Sequence, residues 1–104
     1  MTETIRIGGA QLSNALDWWE NEKKILGLIV EAKEKDARLV VFPESGLSFS
    51  KDNPPDDDQI QVSIRMIREA AKQHGLYVLF CVQYVPVEDG GTENDAILCD
   101  PNGE

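Results

Sequence analysis

Positive charge is scarce in this sequence. Its 104 residues carry ten Lys and Arg against nineteen Asp and Glu, a formal net charge of -9. Surfaces that hold nucleic acid or anionic lipid need clustered cations to neutralise phosphates, so neither is expected as a partner. Histidine occurs once and cysteine twice, far apart, which leaves no zinc constellation. Asp56-Asp57-Asp58 lacks the alternate spacing and the glycine of a calcium loop. Gly8-Gly9 does not extend into a dinucleotide fingerprint, and no Gly-Lys-Ser or Gly-Lys-Thr is present to cradle phosphates. No metal or cofactor is therefore expected. No apolar run approaches the roughly 18 residues that span a bilayer, and Met1 to Thr4 shows no basic start to a signal peptide, so the expected address is the cytoplasm.

What is present reads as one α/β domain over residues 1–104. With 41% hydrophobic and 28% charged residues, neither disorder nor a fibrous repeat is indicated. A chain of this size buries roughly two-thirds of the surface that it exposes unfolded. Cys81 and Cys99 both sit inside apolar runs, as reduced core cysteines do.

The apolar periodicity changes along the chain. Ile5 to Leu12 begins by alternating, as a strand does, although Gly8 and Gly9 weaken it. After Asp17, a helical stripe runs through Trp18, Ile25, Leu28, Ile29 and Ala32 to about Lys35, with Trp19, Glu20, Glu22, Lys23 and Lys24 expected on the wetter side. Leu39-Val40-Val41-Phe42 is a short unbroken apolar run, the pattern of a parallel strand buried on both faces, and Pro43 ends it. Ser45 to Asp58 is loop by its serines, prolines and aspartates.

Asp58, with Gln61 three residues on, has capping-box spacing for a second helix whose stripe is Ile60, Ile64, Ile67 and Ala71. Lys72 and His74 suit the negative end of its dipole, and Gly75 suits its cap, a structural role for the one histidine. Leu76 to Val85 is the most apolar run and the expected central strand; Asn94 to Cys99 forms another. Asp100-Pro101-Asn102-Gly103 is a tight-turn sequence, from which a partner strand would begin at Glu104. A turn that prepares a strand is the internal sign of a chain truncated on its C-terminal side.

Glu44 is the one residue whose position suggests chemistry. It directly follows a buried strand and its terminating proline, and in open α/β sheets ligands collect beyond the carboxyl ends of the strands. A carboxylate partly withdrawn from water there has a raised pKa and suits a general base. The alternative is a solvated glutamate that opens a loop.

These residues together resemble the nitrilase superfamily of carbon-nitrogen hydrolases, over nearly the whole chain. Ile5 to Gln11 resembles its opening strand, Asp17 and Asn21 the start of its first helix, and Leu-Val-Val-Phe-Pro-Glu at 39–44 its early motif. Ala70-Ala71 to Gly75, Leu76 to Cys81, Glu93 to Ala96 and Asp100 to Gly103 follow in the matching order. Gly8, Gly9, Asp36 (in place of a common helix-ending glycine) and Ser48-Phe49 depart from the usual pattern.

The resemblance implies the N-terminal part of an α-β-β-α sandwich with a glutamate, lysine and cysteine triad that acts on nitrile or amide carbons. Only the glutamate maps here, onto Glu44 as general base. The family's lysine follows the Asp-Pro-Asn-Gly turn and its cysteine lies later, so neither Cys81 nor Cys99 matches the nucleophile, and the chain alone is expected to be inactive. Asn94 is expected to support the site's architecture. The expected partner is a small amide or nitrile, with a homo-oligomer open as a further state. The competing reading is a stand-alone, non-catalytic α/β module that pairs with another chain through a sheet edge or the Trp18-Trp19 face.

Overall fold

The structure is a computed structural model and describes residues 5–10, 18–43, 47, 56–86 and 92–104. The order of elements is β1 (Ile7–Gly9), α1 (Trp18–Glu34), β2 (Leu39–Val41), α2 (Asp57–His74), β3 (Tyr77–Pro86) and β4 (Thr92–Cys99). The strands form one sheet in the order β1-β2-β3-β4. The first three are parallel, with Gly8 opposite Val40 and Val40 opposite Val78, and β4 joins β3 antiparallel, with Cys99 opposite Val78. Two consecutive strand-helix-strand units followed by an antiparallel strand make this an α/β chain, as the alternating periodicities require.

The helices and one face of the sheet share a single core. Trp18, Ile25, Ile29 and Ala32 of α1 and Ile60, Ile67 and Ala71 of α2 are buried with Val40, Phe42, Val78, Phe80, Val82 and Cys99. The expected α2 stripe is thus the buried one. The run expected at Leu76 to Val85 is β3, Tyr77–Pro86, an interior strand paired with β2 at Tyr77 to Leu79 and with β4 from Val78 to Pro86. Both cysteines are free, Cys99 buried and Cys81 half-buried.

Four expectations are corrected. The first strand is three residues long rather than Ile5 to Leu12; Ile5 and Arg6 precede it, and Gln11 and Leu12 lie outside the described residues. β2 is buried on one face only: Val40 is buried, while Leu39 and Val41 are half-exposed because no described element covers the other side of the sheet. The cap of α2 is Asp56, not Asp58. Asp56 Oδ1 accepts from Gln59 N at 2.8 Å, and Gln59 Oε1 accepts from Asp56 N at 2.8 Å, a complete capping box. Three aspartates followed by Gln59 and Gln61 offer that spacing twice, and the first pair is used. Finally, Glu22 is not on the wet side of α1 but buried.

The helix ends are built differently. Gly75 adopts φ 68° and donates to Lys72 O and Ala71 O, the left-handed cap that glycine makes without strain. At the end of α1 the left-handed residue is Asp36, φ 60°, followed by Ala37 N donating to Ala32 O at 3.0 Å. The Asp100–Glu104 turn is also present: Asp100 N donates to Glu104 O at 2.8 Å, and Asp100 Oδ1 accepts from Asn102 N and Glu104 N.

Candidate active site

Parallel strands in one sheet place their carboxyl ends on one edge, and here that edge is defined by the residues that leave β1 and β2. Ala10 N donates to Val41 O at 2.8 Å, and Phe42 N donates to Leu79 O at 2.9 Å, so the ladder continues one residue past each strand. Pro43 has no N–H with which to extend it. Leu47 returns to the sheet beside β3, where its N–H donates to Cys81 O at 3.1 Å and it bridges to Val82, fully buried. Phe42 and Leu47 are thus both hydrogen-bonded to β3. Glu44 itself lies outside the described residues.

The other residues singled out from sequence are accounted for as follows. Asp17 is outside the described residues; Asn21, its companion at the start of α1, is fully buried. Asn94 belongs to β4, its side chain outside the described residues. His74 stands in the last turn of α2, next to the Gly75 cap. Burial pushes the Cys99 thiol up, opposed in part by the nearby Arg68 guanidinium and its hydrogen bond, with Asp100 adding to the rise. A buried thiol with a raised pKa holds little thiolate, the nucleophilic form. Cys99 is free and buried, the environment expected of a reduced core cysteine.

Sequence reasoning missed a polar cluster in the seam between the helices. Trp18 Nε1 donates to Ser63 Oγ at 2.8 Å, and both side chains are buried. The Ser63 hydroxyl in turn donates to the Glu22 carboxylate, which burial, the larger effect, pushes above its ordinary pKa. The signal was legible in the spacing. Glu22 falls four residues after Trp18 and three before Ile25, on the buried stripe itself, and Ser63 falls three after Ile60 and four before Ile67.

Three parallel strands and an antiparallel fourth, backed by two helices on one face, define the class among the described residues: an α/β layer. The chain belongs to the carbon-nitrogen hydrolase family, whose model matches residues 6–104. Solved structures carry the same fold. An amidase from Nesterenkonia sp. superposes with a TM-score of 0.75 at 21% identity, over 96% of this chain and 40% of that one. A variant of the amidase from Nesterenkonia sp. AN1 in complex with butyramide gives 0.77 at 21% identity, over 96% and 40%. Another, showing Michael addition of acrylamide at its active-site cysteine, gives 0.77 at 21% identity, over 97% and 41%. This chain therefore spans about 40% of the length of the amidases that it matches. No match was found among curated proteins.

Proposed function

We propose that this chain forms the N-terminal part of an amidase-type carbon-nitrogen hydrolase in which Glu44 is the general base. The reading is supported by the family match and by the described residues on either side of Glu44 in the sequence: Phe42 follows β2 and pairs with Leu79, and Leu47 pairs with Cys81. A carboxylate that follows a parallel strand in the sequence suits a general base, since ligands in open α/β sheets collect beyond the carboxyl ends of the strands. Glu44 would take the proton of a cysteine thiol as sulfur attacks the carbonyl carbon, and later take one from the water that releases the acid. Lysine and cysteine would come from chain beyond Glu104, so the 104 residues alone should not turn over substrate. Small aliphatic amides are the first substrates to try, because related amidase structures hold butyramide and acrylamide.

The test uses a chain that carries the lysine and cysteine. Ammonia release from a panel of amides and nitriles is compared for wild type and Glu44→Gln, with thermal melts of both. Removing a general base costs roughly 10²- to 10⁴-fold in rate, while the isosteric amide leaves the melt in place. A variant that keeps more than about a tenth of wild-type turnover means that Glu44 is not the base. A loss of rate that merely tracks a collapsed melt makes it a structural residue.

The uncovered sheet face favours a second reading, a non-catalytic module that pairs through that face. Ile7, Tyr77 and Leu98 are exposed there, and apolar patches of this kind mark association. A closed oligomer of the 104-residue chain with a cooperative melt would support the module over the hydrolase fragment.

A further inference from the structure

The core of the chain takes one stripe of α2, Ile60, Ile67 and Ala71. A second stripe runs along the outside of the same helix. Val62, Arg65, Met66 and Glu69 are all exposed there, at the three- and four-residue spacings that set side chains in a row. Leu26 and Val30 of α1 continue its apolar part, and with Met66 and Ala70 they line a groove between the helices that Arg65 and Glu69 border. Val30 and Met66 are 41% and 44% exposed, and the core under the helices is built without them.

The charges on this surface point to what covers it. Arg65 and Glu69 are one turn apart, with the cation first, the weaker order for a pair within one helix. They form no ion pair among the described residues, whereas Glu31 and Lys35, in the opposite order on α1, meet at 3.0 Å. The chain as a whole carries -9, so two copies repel each other over most of their surfaces. This groove is different: its charged border is one arginine and one glutamate, with His74 at its end.

We propose that the outer groove between α1 and α2 docks a second copy of this chain about a two-fold axis level with Ile67. Such an axis lays α2 antiparallel to its own copy, and positions equidistant from 67 then face each other. Arg65 meets Glu69 of the second copy and Glu69 meets its Arg65, two ion pairs from one contact. The Met66 side chains of both copies lie near the axis, against the grooves that Leu26 and Val30 line. The contact is on the helix side of the sheet, opposite Ile7, Tyr77 and Leu98, so it leaves both open sheet faces free and does not depend on the hydrolase reading. A helix pair with one flanking groove stands at the small end of specific interfaces, and the dimer should be correspondingly weak.

The test starts from Leu98→Lys, which sets a charge on the open sheet face and so isolates the helix contact. Sedimentation velocity of that 104-residue chain, from about 1 to about 500 µM, should show monomer and dimer in exchange. Adding Arg65→Glu makes both facing pairs acidic, and adding Glu69→Arg makes both basic; each should weaken the dimer at least about tenfold. Mixed in equal amounts, these two variants should recover the parent affinity, because each supplies the charge that the other lacks. A pair confined to one helix gives no recovery on mixing. Met66→Lys, which leaves the ion pairs in place and charges the apolar centre, should abolish the dimer while the thermal melt stays within a few degrees of the parent. A Leu98→Lys chain that is monomeric at every concentration, charge variants that dimerise like their parent, or a mixture that dimerises no better than its components each overturn the proposal.

Discussion

On one face of the sheet Val40, Val78, Phe80 and Val82 are at most 2% exposed, whereas on the other Ile7, Tyr77 and Leu98 are 61, 46 and 58% exposed. The residue types are similar, and the registers place them as alternate neighbours along the same strands. The difference lies in what covers them. The first face packs under α1 and α2, while the second meets no described element. A strand that reads as a continuous apolar run is suited to cover on both sides, and this sheet has cover on one. That pattern fits a chain spanning about 40% of the amidases whose fold it shares. The covered face should hold the fold, and the open face should govern how the chain associates.

The largest expected effect tests the first half of that statement. Phe80→Ala empties a fully buried site and should cost about 3 to 5 kcal/mol, enough to unfold a marginal domain. Leu98→Ala, on the open face, should stay near about 0.5 kcal/mol. Urea unfolding followed by circular dichroism compares the two. Equal losses would mean that the faces do not differ energetically, and that the open face has cover in solution.

The second test concerns association. The wild-type chain should self-associate as its concentration rises, because an apolar face and two sheet edges lack partners among the described residues. Leu98→Lys should reduce that association without lowering the melting temperature by more than a few degrees. Size-exclusion chromatography with light scattering at several concentrations checks it. A sharp monomer for wild type at every concentration would break the comparison and the fragment reading with it.

The same contrast explains what the sequence made legible. Both helices, the interior position of β3 and the Asp100–Gly103 turn followed from periodicity and from glycine and proline, since these are local signals. The one-sided burial of Leu39-Val40-Val41 did not, because an unbroken apolar run states what a strand is built for and not what lies against it. Glu22 was misplaced for a related reason: its charge argued for water, while its place between Trp18 and Ile25 argued for the core, and packing prevailed. At the candidate site, the motif Phe42-Pro43-Glu44 was readable and the return of Leu47 to the sheet was not, since its bridge to Val82 is a tertiary fact.

The smallest expected effect sharpens the comparison at the links that carry the helix layer onto the covered face. α1 and α2 both return to the sheet through a left-handed residue, Asp36 at φ 60° and Gly75 at φ 68°. An L-residue in that conformation pays for contact between its Cβ and the following carbonyl, roughly 1 to 2 kcal/mol in general and less for aspartate, whereas glycine does not. Asp36→Gly relieves that contact but gives the unfolded chain more freedom, so the net gain should be about 0.5 kcal/mol. Asp36 is exposed. The reverse exchange, Gly75→Ala, meets open space around its new Cβ, so its cost should be conformational alone, about 1 kcal/mol. Urea midpoints of the two variants measured beside wild type give the result. If the covered face holds the fold, both changes should appear in full in global stability, with opposite signs and unchanged denaturant slopes. Should Asp36→Gly destabilise the chain, the carboxylate at the end of α1 contributes more than its backbone strain costs, and the two links are not equivalent.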